Sequence, residues 1–135
     1  MRKYLLDTNI IVFLFKKRFN MNEKIKKVGI ANCFISDVTV AELYYGVECS
    51  PIDVIDEKRK RLNSFLERIQ IIPFSTATFL YAKEKARLIK LGEIIPDFDI
   101  LIGTTAVANG YILVTNNTKH LSRIQNIEIE DWTKE

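Results

Sequence analysis

Two rhythms of apolar residues alternate along this chain: short unbroken runs, and longer stretches with apolar side chains three and four positions apart. The first suits a strand buried on both faces, the second an amphipathic helix. "KYLLD" (3–7) reads as a short buried strand, followed by helical spacing through "NIIVFLF" (9–15) and by "MNEKIKKV" (21–28), a second amphipathic piece that Gly29 stops. "NCFIS" (32–36) is another strand. Ser36 or Asp37 then caps a helix over "VTVAELYYGV" (38–47), which ends at the Ser50-Pro51 turn and reads as buried nearly all round. Apolar positions 52, 55, 62, 65, 66 and 69 make residues 52–69 an amphipathic helix, and "QIIPF" (70–74) is a third strand that Pro73 curtails. Ser75 begins a helix through "TATFLYAKEKARLIKLG" (76–92). Pro96-Asp97 opens another, with Asp97 as its N-cap and a stop at Asn109-Gly110. "YILVT" (111–115) is a fourth strand and "NIEIED" (126–131) a fifth. Strands alternating with helices imply βαβ units, so the expected fold class is α/β, a parallel sheet covered on both faces.

Size narrows the reading to one domain spanning 1–135, since 135 residues at 47% hydrophobic suffice for a single core. No stretch stays apolar for the eighteen or so residues a membrane helix needs, and Asp7 interrupts the first apolar run too early for a signal-peptide core. The expected location is the cytoplasm. Cys33 and Cys49 have no second Cys or His at ligand spacing, as free thiols in a reducing compartment would.

Net charge is only +3, but bases and acids are segregated along the chain. Residues 1–27 hold eight Lys/Arg against two acids, whereas 4–15, 28–57 and 91–118 contain no Lys or Arg at all. The clusters Lys16-Lys17-Arg18 and Lys58-Arg59-Lys60-Arg61 read equally well as solvated helix surface or as phosphate contacts.

The acids carry the sharper clue. Asp7 closes the first strand, and in open α/β sheets ligands bind beyond the carboxyl ends of strands, where Thr115 also lies. Were those two strands neighbours, their ends would face one crevice. Glu42 is the only charge in "VTVAELYYGV", and Asp99 stands before nine uncharged residues, "ILIGTTAVA". Singly, each has a plain explanation: a turn residue at Asp7, a first-turn dipole partner at Asp99. Together they are three carboxylates on apolar elements with no base nearby in sequence. An ionised carboxylate taken out of water costs several kcal/mol unless paired or bound to a cation. Distant bases or a metal ion must supply the charge, and oxygen-only ligands select a hard divalent ion such as Mg²⁺.

These residues resemble the PIN-domain ribonucleases, and within them the VapC-type toxins of bacterial toxin–antitoxin pairs. The resemblance is carried by "LLDTNI" (5–10), "ISDVTVAELYYG" (35–46), "FDILIGTTAVANGYILVTNNTKHL" (98–121) and "IEIEDW" (127–132), in that order over nearly the whole chain. It implies about five parallel strands flanked by helices, and makes Asp7, Glu42 and Asp99 the carboxylates that bind Mg²⁺ or Mn²⁺ at a catalytic centre. It also implies an RNA substrate, with structured tRNA loops a recurrent target, a homodimer, and a small VapB-type antitoxin whose tail covers the acidic cleft. Thr8, Asn9, Ser36 and Thr115 are placed to hold ligands or waters by hydrogen bonds. Many relatives have a fourth acid after the fourth strand, where "TNNTKHL" offers Asn117, a candidate ligand through its amide oxygen or a water, and His120, expected in an exposed loop without a catalytic part. RNA steered past an acidic centre needs a basic rim, for which Lys16, Lys17, Arg18 and Lys119 are the candidates, with Phe19 placed to stack on a base. Trp132 is assigned to packing.

Rival readings are weaker. A haloacid-type phosphatase needs a second aspartate where Asn9 stands, and a receiver domain an acidic pair at the first strand's exit. One histidine excludes a histidine-pair ribonuclease. The remaining alternative is a catalytically silent RNA-binding or antitoxin-binding module, weakened by the presence of all three acids.

Overall fold

A computed structural model describes residues 2–134. Five strands, β1 (Tyr4–Leu6), β2 (Cys33–Ser36), β3 (Gln70–Ile72), β4 (Ile112–Val114) and β5 (Ile129–Glu130), form one sheet in the order β3-β2-β1-β4-β5. Every pairing is parallel, with Tyr4 opposite both Cys33 and Ile112. Between the strands run α1 (Thr8–Phe15), α2 (Met21–Val28), α3 (Asp37–Glu48), α4 (Ile55–Leu66), α5 (Thr78–Lys90), α6 (Asp97–Asn109) and the single turn α7 (Thr118–Leu121).

The period-two geometry of strands divides the core. Tyr4, Leu6, Cys33, Ile35, Ile112 and Val114 point to one face and pack with Ile10, Ile11, Ile25, Leu62 and Phe65 of α1, α2 and α4. Leu5, Phe34 and Leu113 point to the other and meet Leu88, Ile100, Ile102 and Ala106 of α5 and α6. Both faces being covered, the strands carry the uninterrupted apolar runs that mark them in sequence. Trp132 is buried against Tyr4, ring centroids 5.4 Å apart, and its indole N–H donates to Glu130 Oε1 at 2.9 Å.

Four expectations need correction. The helix expected over 52–69 begins at Ile55, because residues 52–54 turn after Pro51 before any cap forms. A 3₁₀ turn at Phe74–Ala77 delays α5 to Thr78, past the expected start at Ser75. Asp97 is the first residue of α6 rather than its cap; its carboxylate accepts from Tyr81 Oη (3.0 Å) and pairs with Lys85 Nζ (2.8 Å) on α5 instead. Finally, α3 is not buried all round: Ala41, Tyr44, Tyr45, Glu48 and Cys49 are exposed along its outer face. Of the two proposed caps, Ser36 is the one used, accepting from Val38 N at 3.0 Å, while Asp37 accepts from Phe74 N at 2.9 Å.

Candidate active site

β1 and β4 are neighbours, so the residues that follow them share one crevice at the carboxyl edge of the sheet. Asp7 sits there, 4% exposed, as the N-cap of α1. Its Oδ1 accepts from Thr8 N (2.7 Å) and its Oδ2 from Thr115 Oγ1 (2.8 Å). The Thr115 hydroxyl in turn accepts from Asn117 N (3.0 Å) and Asn9 Nδ2 (3.4 Å), so residues following two strands lock one carboxylate. Its role as both strand end and helix cap explains the abrupt carboxylate in "YLLD": the chain turns from strand to helix there, and the first amides of α1 need an acceptor.

Glu42 reaches the same crevice from α3. Thr8 Oγ1 donates to Glu42 Oε1 at 2.6 Å and shares a 3.0 Å hydrogen bond with the hydroxyl of Thr39, one turn before Glu42. Asp99, half-buried in the first turn of α6, accepts from Asn117 Nδ2 at 3.2 Å. The same amide nitrogen lies 3.3 Å from His120 Nδ1, and that ring nitrogen 3.8 Å from Asp99 Oδ2. His120, expected in an exposed loop, thus stands on α7 at the site's edge.

Burial above all raises the Asp7 carboxyl from 3.8 to about 6; the Thr115 and Thr8 hydrogen bonds oppose the rise, and the charges of Asp99 and Glu42 add to it. Hydrogen bonds through Thr8 join Asp7 to Glu42, and those through Thr115 and Asn117 join it to Asp99, so the three acids border one site. Asp99 is also raised, by burial first, with His120 pulling the other way. Among the described residues no Lys or Arg forms an ion pair with any of the three. Nor, among those residues, do any three Asp, Glu, His or Cys groups form a ready-made metal cage. Threonine and asparagine hydrogen bonds hold the three acids, and a cation would offset the repulsion between them. The donor set, oxygen only, fits a hard divalent ion that keeps several waters.

The basic candidates separate by their surroundings. Lys16 lines a cleft of about 250 Å³ that also contains Thr8 and Glu42. Lys17 lines the larger groove next to it, of about 840 Å³. Arg18 lies over the rings of Phe13 (5.6 Å) and Phe19 (5.0 Å), so Phe19, itself edge-on to Phe13 at 4.9 Å, is already engaged. Lys119 is exposed on α7. Two bases of the cluster that the sequence leaves between solvated surface and phosphate contact join the cleft, Lys58 and Arg61 of α4. Arg59, between them in sequence, pairs instead with Glu48 (2.6 Å) and Asp56 (3.1 Å). Helix phase could have separated them, since 58 and 61 share a face that 59 does not.

An all-parallel sheet in this order, with acidic side chains bordering the exits of its central strands, defines an acid-centred α/β domain. The PIN domain model matches residues 4–127, and the chain belongs to the PIN-domain family. It is similar to ribonuclease VapC2 of Rickettsia felis, 38% identical over 97% of this chain and 98% of that one. It is also similar to the tRNA(fMet)-specific endonuclease VapC of Shigella flexneri, 32% identical over 98% of this chain and all of that protein. Among solved structures, the crystal structure of VapBC2 from Rickettsia felis bound to a DNA fragment from its promoter matches at a TM-score of 0.86 and 35% identity, covering 96% of this chain and 98% of that one.

Proposed function

We propose that this chain is a metal-dependent endoribonuclease of the VapC type that hydrolyses phosphodiester bonds in a structured RNA such as a tRNA loop. Asp7, Glu42 and Asp99 hold Mg²⁺ or Mn²⁺ at its centre. The observation that carries this reading is that one chain of hydrogen bonds through Thr8, Thr115 and Asn117 links the carboxylates of Asp7, Glu42 and Asp99, from β1's end, α3 and α6, while among the described residues none of them forms an ion pair with a Lys or Arg. The relatives named as a ribonuclease and as a tRNA(fMet)-specific endonuclease support RNA as the substrate. A divalent ion bound here supplies Lewis acidity, activating water and offsetting charge that develops on the phosphodiester oxygens. The chain's own residues orient the acids: Thr115 and the Thr8 amide fix both Asp7 oxygens, the Thr8 hydroxyl fixes Glu42, and Asn117 fixes Asp99. Asn9 supports Thr115, and Ser36 starts the helix that carries Glu42. Lys16, Lys17, Arg18 and Lys119 are the RNA contacts in this reading.

The test is cleavage of total tRNA with Mg²⁺, with Mn²⁺ and with EDTA, for the wild type and for Asp7→Asn and Asp99→Asn. Metal-dependent cleavage that either substitution reduces at least a hundredfold is expected. Cleavage indifferent to chelator, or surviving Asp7→Asn, removes the mechanism.

The partner in this reading is a small VapB-type antitoxin whose tail sets an Arg or Lys against the acids, a charge-assisted contact the crevice favours. The VapBC neighbour supports it. A homodimer is part of the same reading. Sedimentation of the isolated chain as a monomer at micromolar concentration would count against the dimer.

A further inference from the structure

The cleft beside Glu42 has three helical walls. On α3, Glu42, Gly46 and Ser50 follow one another at intervals of four, so they line one face of the helix and its continuation. On α1 the same spacing brings Thr8, Val12 and Lys16 to the opposite wall, and Lys58 and Arg61 of α4 close the third side. Between them the floor is apolar, from Val12, Phe15, Leu43 and Val47. Arg61 is fixed in place, donating to Phe15 O at 2.9 Å with its guanidinium 4.7 Å from the centroid of the Phe15 ring. Among the described residues neither Lys16, Lys58 nor Arg61 has an acidic partner.

A void of about 250 Å³ is far larger than one water needs and slightly below the ~300 Å³ at which pockets for drug-sized ligands begin. It suits one flat ring system. The geometry points to this cleft as the seat of a single unstacked nucleotide of the RNA, beside the bond that is cut: its base lies on the apolar floor against the Phe15–Arg61 stack, and its phosphate meets Lys16 and Lys58. Bases splayed from single-stranded loops are recognised by such stacking on aromatic and guanidinium planes. Charge selects this occupant over a cationic peptide. An acidic centre alone would favour a cationic side chain, but a ligand here must also satisfy three unpaired bases, which an apolar ring carrying an anionic phosphate does.

The inference rests on the ribonuclease reading, and Gly46 allows the two to be tested apart. A Cβ built on Gly46 has no heavy atom within 4 Å, so a larger side chain can be added at this residue of the cleft lining without displacing the core. Gly46→Leu is expected to fold as stably as the wild type, to cut a short RNA substrate with KM raised roughly five- to hundredfold, as loss of one base stack predicts, and to bind it correspondingly more weakly when combined with Asp7→Asn. Gly46→Ala is expected to fall between. Replacing nucleotides of the substrate one at a time by abasic ribose should find one position, next to the scissile bond, that weakens wild-type cleavage but not that of Gly46→Leu. If the wild type cuts RNA and Gly46→Leu matches it in KM and abasic profile, the nucleotide seat is wrong while the nuclease reading stands. The seat is equally wrong if Gly46→Leu spares cleavage and abolishes only inhibition by the antitoxin. If the wild type cuts no RNA with either metal, the nuclease reading fails and takes this inference with it.

Discussion

Asp7 shows how far a single side chain can be held from its preferred state. Its carboxyl ionises near 3.8 in the unfolded chain but at about 6 in the folded one, with burial the largest cause. An acid whose folded value is raised favours folding while protonated. Stability of the metal-free protein should therefore decline as pH rises from about 4 to about 6, and stay reduced above it, by roughly 3 kcal/mol on linkage arithmetic. Asp7→Asn, which keeps an oxygen for the Thr8 amide and sheds the charge, is expected to melt higher than the wild type in EDTA at pH 8, with the difference vanishing near pH 4. A lower Tm for Asp7→Asn at pH 8 would contradict this. Asp7, Glu42 and Asp99 were legible in the sequence because each is a charge among apolar residues, a pattern that exposed helix faces do not produce. For Lys58 and Arg61 the sequence offered only their shared helix face, and which face of "KRKR" turns toward Glu42 is settled by the packing of α4, where Glu48 at the end of α3 takes Arg59.

At the level of elements, the outer layer depends on contacts that local sequence does not reveal. Glu84, within "AKEKARLIK", looks like part of a solvated charge run, yet it is buried, accepting Arg87 Nε and Nη2 at 2.8 Å each and the Gln125 amide at 3.0 Å. Arg87 completes the tie by donating to Arg123 O at 2.7 Å, so α5 is fastened to the segment after α7. These partners lie about forty residues on, which no helical periodicity can signal. The pair holds the Glu84 carboxyl below its usual range, the Arg87 contact being the largest cause. Its stabilisation is present above the unfolded value and is lost as pH falls through the lower folded one. Glu84→Gln should cost about 1.5–3 kcal/mol near neutrality and less in acid, by urea unfolding at both pH values. Gly103 is similarly hidden. A Cβ there would lie 2.2 Å from Ile124 Cδ1 and 3.1 Å from Leu121 Cδ1, so α6 packs against the same segment with no room for a side chain. Gly103→Val is expected to destabilise by about 1–3 kcal/mol, since Leu121 and Ile124 are buried and can yield little. An unchanged midpoint would show that the segment moves aside. The central strands β1, β2 and β4, by contrast, were readable almost residue for residue, because burial on both faces writes them as apolar runs, whereas the partly exposed edge strands β3 and β5 are shorter than the stretches that announce them.

Across the whole molecule the sheet order places an acidic centre over β1 and β4, while unpaired bases from α1 and α4 stand to one side of it. A polyanion can approach such a centre only if the rim outweighs it, so affinity should be strongly salt-dependent. For a single strand the logarithm of the binding constant falls against the logarithm of salt by about 0.7 for each phosphate neutralised. In an Asp7→Asn background, where RNA is bound but not cut, Lys16→Ala and Lys58→Ala should each weaken binding and flatten that slope by about 0.7. Arg59→Ala removes the same formal charge from the same helix, but its guanidinium is held by Glu48 and Asp56. It should leave the slope unchanged, apart from the small shift any surface charge exerts through a Debye length of about 8 Å at physiological salt. Net charge cannot separate these variants, each of which loses one positive charge. If Arg59→Ala flattens the slope as much as Lys58→Ala does, binding follows overall charge, and the face of α4 turned toward Glu42 has no special part in steering RNA to the acids.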